Sequence, residues 1–159
     1  MIRLLVVIFF LIPFTGFSQE VYDLSILESV LPKTLNGCKL ANEKQSKFLE
    51  TKEMSLATVY GLYRSKKLII EVNLFDYTKS KQAYIEATSI INDIKPSERI
   101  ELLEINEMNG FIENNKIEKV QYVKLKWKDR YFLVLEISGY KDKKEIISII
   151  KELELSILH

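Results

Sequence analysis

The chain has 159 residues, 47% of them hydrophobic and 28% charged, with 23 Lys and Arg against 22 Asp and Glu and a formal net charge of +1. That composition, with five Gly and three Pro, excludes a disordered chain or a fibrous repeat, and near-neutrality leaves no global field to hold nucleic acid or an anionic membrane. The single cysteine, Cys38, excludes an intrachain disulfide.

The N-terminus reads Met1-Ile2-Arg3, runs apolar from Leu4 to Ile12, and passes Pro13, Gly16 and Ser18 before the first acid, Glu20. One positive charge, a short apolar run and small residues form the layout of a secretory signal peptide. Cleavage is expected after Ser18, which leaves Gln19 as a new N-terminus able to cyclise, and the segment resembles the start of exported Gram-negative proteins. A retained anchor would need about 20 apolar residues, and this run has about a dozen. Residues 1–18 hold one basic residue and no acid, so residues 19–159 carry 22 of each sign and no net charge. A chain of about 140 residues suits one domain with one core. Leu35-Asn36-Gly37-Cys38 superficially matches a lipoprotein processing site, but polar residues separate it from the apolar run, so lipidation is not expected. Cys38 reads as a small buried residue.

Ser25 to Glu28 has the spacing of a capping box for a first helix over Leu24 to Leu31, ended by Pro32. Asn36-Gly37 signals a turn into a short edge strand near Cys38 and Leu40, and Ala41 to Glu53 reads as loop. Met54 to Tyr77 reads as a hairpin with Ser65-Lys66 as its turn, pairing Tyr63 with Leu68, Gly61 with Ile70, Val59 with Val72 and Ala57 with Leu74 on the core face. Gly61 leaves space there for a helix side chain or a ligand, the side chain being the first expectation. Asp76 or Thr78 caps a second helix to about Ile94, with Ala83, Ala87, Ile90, Ile91 and Ile94 on its buried stripe.

Arg99 to Ile105 suggests a strand, followed by Asn109-Gly110 and Asn114-Asn115 as turns around a very short strand at Phe111-Ile112. Val120 to Trp127 and Arg130 to Ser138 form a second hairpin about Lys128-Asp129, setting Leu125 against Phe132, Val123 against Val134 and Trp127 beside Arg130. Tyr131 to Leu135 is apolar on both sides, as in a central or helix-covered strand. Asp142 to Glu145 opens a last helix with Ile146, Ile149, Ile150 and Leu153 on its buried stripe. The expected fold is α+β: a single antiparallel sheet of about six strands, with the second and third helices on one face. In this order of elements, and in Leu31-Pro32 followed by Gly37, the chain resembles the photosystem extrinsic subunit PsbP family and small exported bacterial proteins of unknown function. The resemblance covers most of residues 19–159 and implies the fold alone.

Candidate chemistry is sparse. His159 is the only histidine and the last residue, which removes Ser-His and Cys-His nucleophile systems and the usual zinc ligands. Isolated glycines make no phosphate loop, and no catalytic residue, cofactor or metal is expected. Glu101, Glu104, Glu107, Glu113 and Glu118 read as a solvated face before they read as a glycosidase pair or a calcium site, because alternation separates Glu101 from Glu104. Lys124, Lys126, Lys128 and Arg130, with Trp127 and Tyr131, concentrate charge at the second hairpin tip. Charges there first serve to block strand-to-strand aggregation, and second to grip an anionic partner, a lipid headgroup or a polysaccharide. The tyrosines Tyr60, Tyr63, Tyr77, Tyr84, Tyr122, Tyr131 and Tyr140 read as core and rim before they read as a ligand cleft.

These features point to an exported, non-enzymatic accessory or binding protein of the bacterial envelope, periplasmic or extracellular, working through a sheet surface or the second hairpin tip. The alternative is a carrier of a lipid or other apolar ligand between sheet and helices, and a carboxylate-dependent hydrolase comes last. Export is tested by N-terminal sequencing of protein recovered from the envelope fraction. The expected start is Gln19 or its pyroglutamate, and a start at Met1 contradicts the signal peptide.

Overall fold

Strand alternation shapes the chain in a computed structural model that describes residues 23–52, 54–139 and 141–158. The expected signal peptide, residues 1–18, lies outside the described residues, as do Tyr140 and His159. The described residues form β1 (Thr34–Leu35), β2 (Cys38–Leu40), β3 (Gln45–Glu50), β4 (Ser55–Arg64), β5 (Ile69–Asp76), β6 (Ile100–Ile105), β7 (Met108–Asn115), β8 (Val120–Trp127) and β9 (Tyr131–Ser138). Three helices accompany them, α1 (Leu24–Ser29), α2 (Lys81–Asp93) and α3 (Lys143–Glu152). All nine strands join one sheet in the order β1-β2-β4-β5-β9-β8-β7-β6, with β3 beside β4, and every pairing is antiparallel. Helix and strand are mixed as expected, but nine strands replace about six.

The helices also occupy both faces of the sheet, not one. On the first face, Val59, Tyr63, Ile70, Val72, Leu74, Val123, Leu125, Leu133, Leu135 and Ile137 pack in one buried cluster with Leu27, Val30 and Leu31 and with Ile146, Ile149 and Ile150 of α3. On the opposite face, α2 sets Tyr84, Ala87 and Ile91 against Phe75, Phe111, Phe132 and Val134. The two clusters alternate along β9, which explains why that strand is apolar on both sides. Each fully buried large aliphatic side chain contributes about 2 kcal/mol relative to exposure.

The first hairpin keeps the expected faces but not the expected partners. Tyr63 pairs with Ile70, Gly61 with Val72, Val59 with Leu74 and Ala57 with Asp76. A two-residue turn of the usual hairpin type needs left-handed backbone, and neither Ser65 nor Lys66 adopts it. The chain instead uses a four-residue loop, Ser65 to Leu68, in which Ser65 Oγ accepts from the amides of Lys67 and Leu68 at 3.3 and 3.2 Å. The shift is two residues, an even number, so Ile70, Val72 and Leu74 stay in the core. The space at Gly61 is taken by a neighbouring side chain: a Cβ there would lie 2.9 Å from Leu31 Cδ1.

The second hairpin shifts by one residue, and its expected pairing is wrong. Its loop is Lys128 to Arg130, with Lys128 and Asp129 at φ +55 and +47. Leu125 therefore faces Leu133, Val123 faces Leu135 and Trp127 faces Tyr131, while Phe132 and Val134 turn to the α2 face. Arg130 is the residue that a two-residue turn cannot accommodate. Its Nε and Nη2 both donate to the Asp76 carboxylate at 2.7 Å, its carbonyl accepts from Tyr77 N, and its guanidinium lies 4.7 Å from the Tyr131 ring centre.

Four further expectations change. The stretch Ala41 to Glu53 contains β3, an edge strand whose Phe48 packs on the core. Asn109-Gly110 is not a turn but lies inside β7, because a Cβ on Gly110 would sit 1.8 Å from Lys124 O, an approach only glycine permits; the turn is at Asn106, φ +52. Helix α1 is capped by Asp23, which accepts from Ser25 N at 2.9 Å, and Glu28 accepts instead from Ser46 Oγ. Helix α2 begins at Lys81, since Asp76 is held by Arg130 and Thr78, and Ile90 is 48% exposed. The capping box of α3 forms as expected from Asp142 and Glu145. Gln121, 3% exposed, holds the segment before α3 by clasping the Lys141 amide and carbonyl at 2.7 and 3.0 Å.

The Asp76 side chain is fully buried and Arg130 is one-third exposed. Removing the cation leaves a buried carboxylate without its bidentate partner, so Arg130→Ala is expected to lower unfolding free energy by about 3 kcal/mol in denaturant titration. A double-mutant cycle with Asp76→Asn should recover part of that loss, and strict additivity of the two changes contradicts the coupling.

Candidate functional site

The turn between β6 and β7 and the loop between β8 and β9 fall at the same end of the sheet, because Asn109 pairs with Lys126 and Trp127 with Tyr131. Helix α2 crosses the adjoining face and brings Tyr84 and Asn92 to this end. Together they enclose a cleft of about 490 Å³, with Asn109, Lys126 and Trp127 from the strands and Glu107, Lys128 and Asp129 from the connections. Glu107, Trp127 and Lys128 also border a second, more apolar cleft of about 310 Å³, completed by Asn106, Met108, Leu155, Ser156 and Leu158. Three non-glycine residues with left-handed backbone, Asn106, Lys128 and Asp129, converge here, and such conformations persist only where the surroundings fix them.

The cleft is held by its own hydrogen bonds. Lys126 Nζ donates to Asn92 Oδ1, and Lys128 Nζ donates to Leu158 O at 2.9 Å. Tyr84 rests edge-on against Tyr77, ring centres 6.0 Å apart. Burial, with the Asp129 charge second, pushes its hydroxyl up to about 12, so it remains a neutral donor across the physiological range. The lining holds two ammonium groups, two carboxylates and two amides. The arrangement offers many donors and acceptors and no excess charge.

The six residues expected at the second hairpin tip do not form one surface. Lys126, Trp127 and Lys128 line the cleft, Trp127 at 6% exposure. Lys124 lies over the Phe111 ring at 5.6 Å, Arg130 closes on Asp76, and Tyr131 is buried and stacked on Trp127 at 5.1 Å between centres. Asn92 and Asn109 were not expected in a site, and Tyr84 and Glu107 were read first as core and as solvated surface. The Asn109 signal was spent on a turn, and nothing local in α2 marks Asn92.

Among the tyrosines, Tyr63, Tyr77, Tyr84 and Tyr131 are core, while Tyr60 and Tyr122 are half-buried on the part of the α2 face that the helix does not reach. There the register sets Glu71 directly opposite Glu136, Glu136 opposite Tyr122 and Tyr122 opposite Glu113. Tyr60 donates to Glu71 at 3.2 Å. Glu101 and Glu104 lie on opposite faces, and Glu101 pairs with Lys143 at 3.3 Å. Among the described residues no group of three His, Cys, Asp or Glu is placed to hold a metal ion, and no helix is long and apolar enough to cross a membrane. No family model, curated protein or solved structure matches the chain.

Desolvation, then the charge of Glu71, holds the Glu136 carboxyl above its ordinary range. The folded state thus takes up a proton at Glu136 more readily than the unfolded chain, a contribution complete below the ordinary carboxylate range and lost as pH rises through the folded value. Glu136→Gln is therefore expected to raise stability at pH 7 by about 0.5 kcal/mol, allowing for solvent screening of a half-exposed pair, with the gain gone at pH 3 in parallel thermal melts. An equal gain at both pH values contradicts the charge mechanism.

Proposed function

We propose that this is an exported, non-enzymatic binding protein of the bacterial envelope whose ligand is an uncharged polyhydroxyl group of glycan type, seated in the cleft at the hairpin tips. The observation that carries the reading is the balance of the cleft: Lys126 and Lys128 against Glu107 and Asp129, with Asn92 and Asn109 as amide donors and acceptors. An anionic lipid headgroup or polyanion gains nothing from a neutral cleft, whereas a sugar satisfies alternating donors and acceptors through its hydroxyls. The size, about 490 Å³, falls within the range of small-molecule sites. The lining residues include no Ser, Thr, Cys or His to pair with a base, which favours binding over acyl transfer through such a nucleophile. The space between sheet and helices on the α3 face is filled by side chains such as Leu31 at Gly61, so the carrier reading gains no support from it.

Titration of isotope-labelled protein with neutral chito-oligosaccharides and with neutral gluco-oligosaccharides tests the proposal. Amide shifts are expected at Asn92, Asn109, Lys126 and Asp129. Asn109→Ala and Asp129→Asn, at exposed positions, should each weaken binding about tenfold, the loss of one or two hydrogen bonds, without lowering Tm. Absence of shifts at these residues with either glycan class, or binding unchanged by both substitutions, overturns it.

A further inference from the structure

Away from the cleft, the sheet face shared with α2 has a second half that the helix leaves open. Four adjacent strands, β5, β9, β8 and β7, project Glu71, Glu136, Tyr122 and Glu113 in one row perpendicular to the strand direction. All four side chains are half-buried. Glu71 and Glu136 are direct cross-strand neighbours, the arrangement in which like charges destabilise a sheet, and among the described residues neither has an ion pair. Two lysines of this face are engaged elsewhere, Lys124 over the Phe111 ring and Lys126 with Asn92. Arg64, beyond Tyr60, is close enough to act on that hydroxyl electrostatically. Beyond the acidic row toward the strand ends lies an apolar margin: Ile69, 38% exposed, then Val120, with Ile117 at 88% in the adjoining loop.

We propose that this open half-face docks an extended cationic polypeptide segment, its Lys or Arg head groups on Glu71, Glu136 and Glu113 and its aliphatic stems or apolar residues on Ile69, Val120 and Ile117. The sign of the charge selects a cationic partner. Its spread selects a chain over an ion: adjacent strands lie about 4.8 Å apart, so Glu113 stands about 10 Å beyond Glu136, and the described acids form no group able to surround one metal ion. The half-exposed rings of Tyr60 and Tyr122 add faces on which ammonium or guanidinium groups stack. A second copy of the chain is disfavoured as occupant, because a two-fold axis on this face sets glutamates against glutamates. The surface is separate from the hairpin-tip cleft and does not depend on what the cleft holds.

Octalysine and an octalysine interrupted by two leucines, added to isotope-labelled full-length mature protein, are the probes. Amide shifts are expected at Glu71, Tyr122 and Glu136, with tighter binding by the leucine-containing peptide and at least tenfold weakening between 20 mM and about 300 mM salt, where screening shortens to a few ångströms. The double variant Glu71→Gln/Glu136→Gln should lose at least tenfold in affinity while its melting temperature holds or rises, which separates lost docking from lost folding. The control Glu98→Gln/Glu104→Gln, which removes two acids elsewhere, should bind unchanged. The proposal is overturned if the peptides shift other surfaces only, if both double variants weaken binding equally, if calcium chloride alone reproduces the shifts, or if the face proves to be covered by a second copy in sedimentation experiments.

Discussion

The whole architecture hangs on one seam, the pairing of β5 with β9. Strands β1 to β5 form one run of neighbours and β6 to β9 another, and only this pairing joins them. Its core-side ladder sets Ile70 against Ile137, Val72 against Leu135 and Leu74 against Leu133, all at 0% exposure. The ladder ends at Asp76, whose buried carboxylate is meaningful only with Arg130 in place. A bidentate guanidinium fixes both distance and angle, so the ion pair sets where the loop after β8 must close and thereby the register of β8 against β9. Burial supplies the bulk of the stabilisation, and the ion pair selects one alignment among several apolar ones.

That division explains what could be read from the residues and what could not. Face assignment in β4 and β5 was legible because alternation survives any even shift, and Ser65 to Leu68 shifted the pairing by two. The same reasoning failed at β8 and β9, where an odd shift exchanged Phe132 and Val134 with Leu133 and Leu135. The cause, Asp76, lies 54 residues from its partner, beyond any local pattern. Asn109-Gly110 misled for a related reason: glycine was needed to let Lys124 O approach, not to turn the chain. Strand β3 escaped notice because Phe48 is the single apolar side chain it turns to the core.

The candidate cleft shows the same dependence on distance in sequence. A cluster such as Lys124 to Arg130 looks continuous in the chain, but alternation sends its members to two faces and the loop sends Arg130 inward. What remains, Lys126 to Lys128, becomes part of a site only when α2 supplies the opposite wall through Asn92, 34 residues away. The chemistry of that wall changes the character of the site, from a basic grip to a balanced polar cleft. Charge runs in a hairpin therefore specify little until the loop length and the covering element are known.

Helix length then decides what the rest of the sheet can do. Thirteen residues of α2 span about 20 Å, while eight strands in sequence across the sheet span about 34 Å. One helix of that length cannot cover the face, and α2 sits over β7, β8 and β9, where Phe111 and Phe132 need burial. The β4–β5 side and the strand ends beyond Phe111 and Phe132 lie outside its reach, and their composition follows: Tyr60, Glu71, Asn73, Glu113 and Glu136 are all only half-buried. Solvation alone would be met equally well by Lys, Thr or Gln at positions 71, 113 and 136. Three glutamates, two of them in direct opposition, make the open half-face acidic beyond what solubility requires. The fold carries that repulsion as a standing cost, offset by the apolar ladder on the reverse side of the same two strands, where Val72 and Leu135 lie directly behind the glutamates.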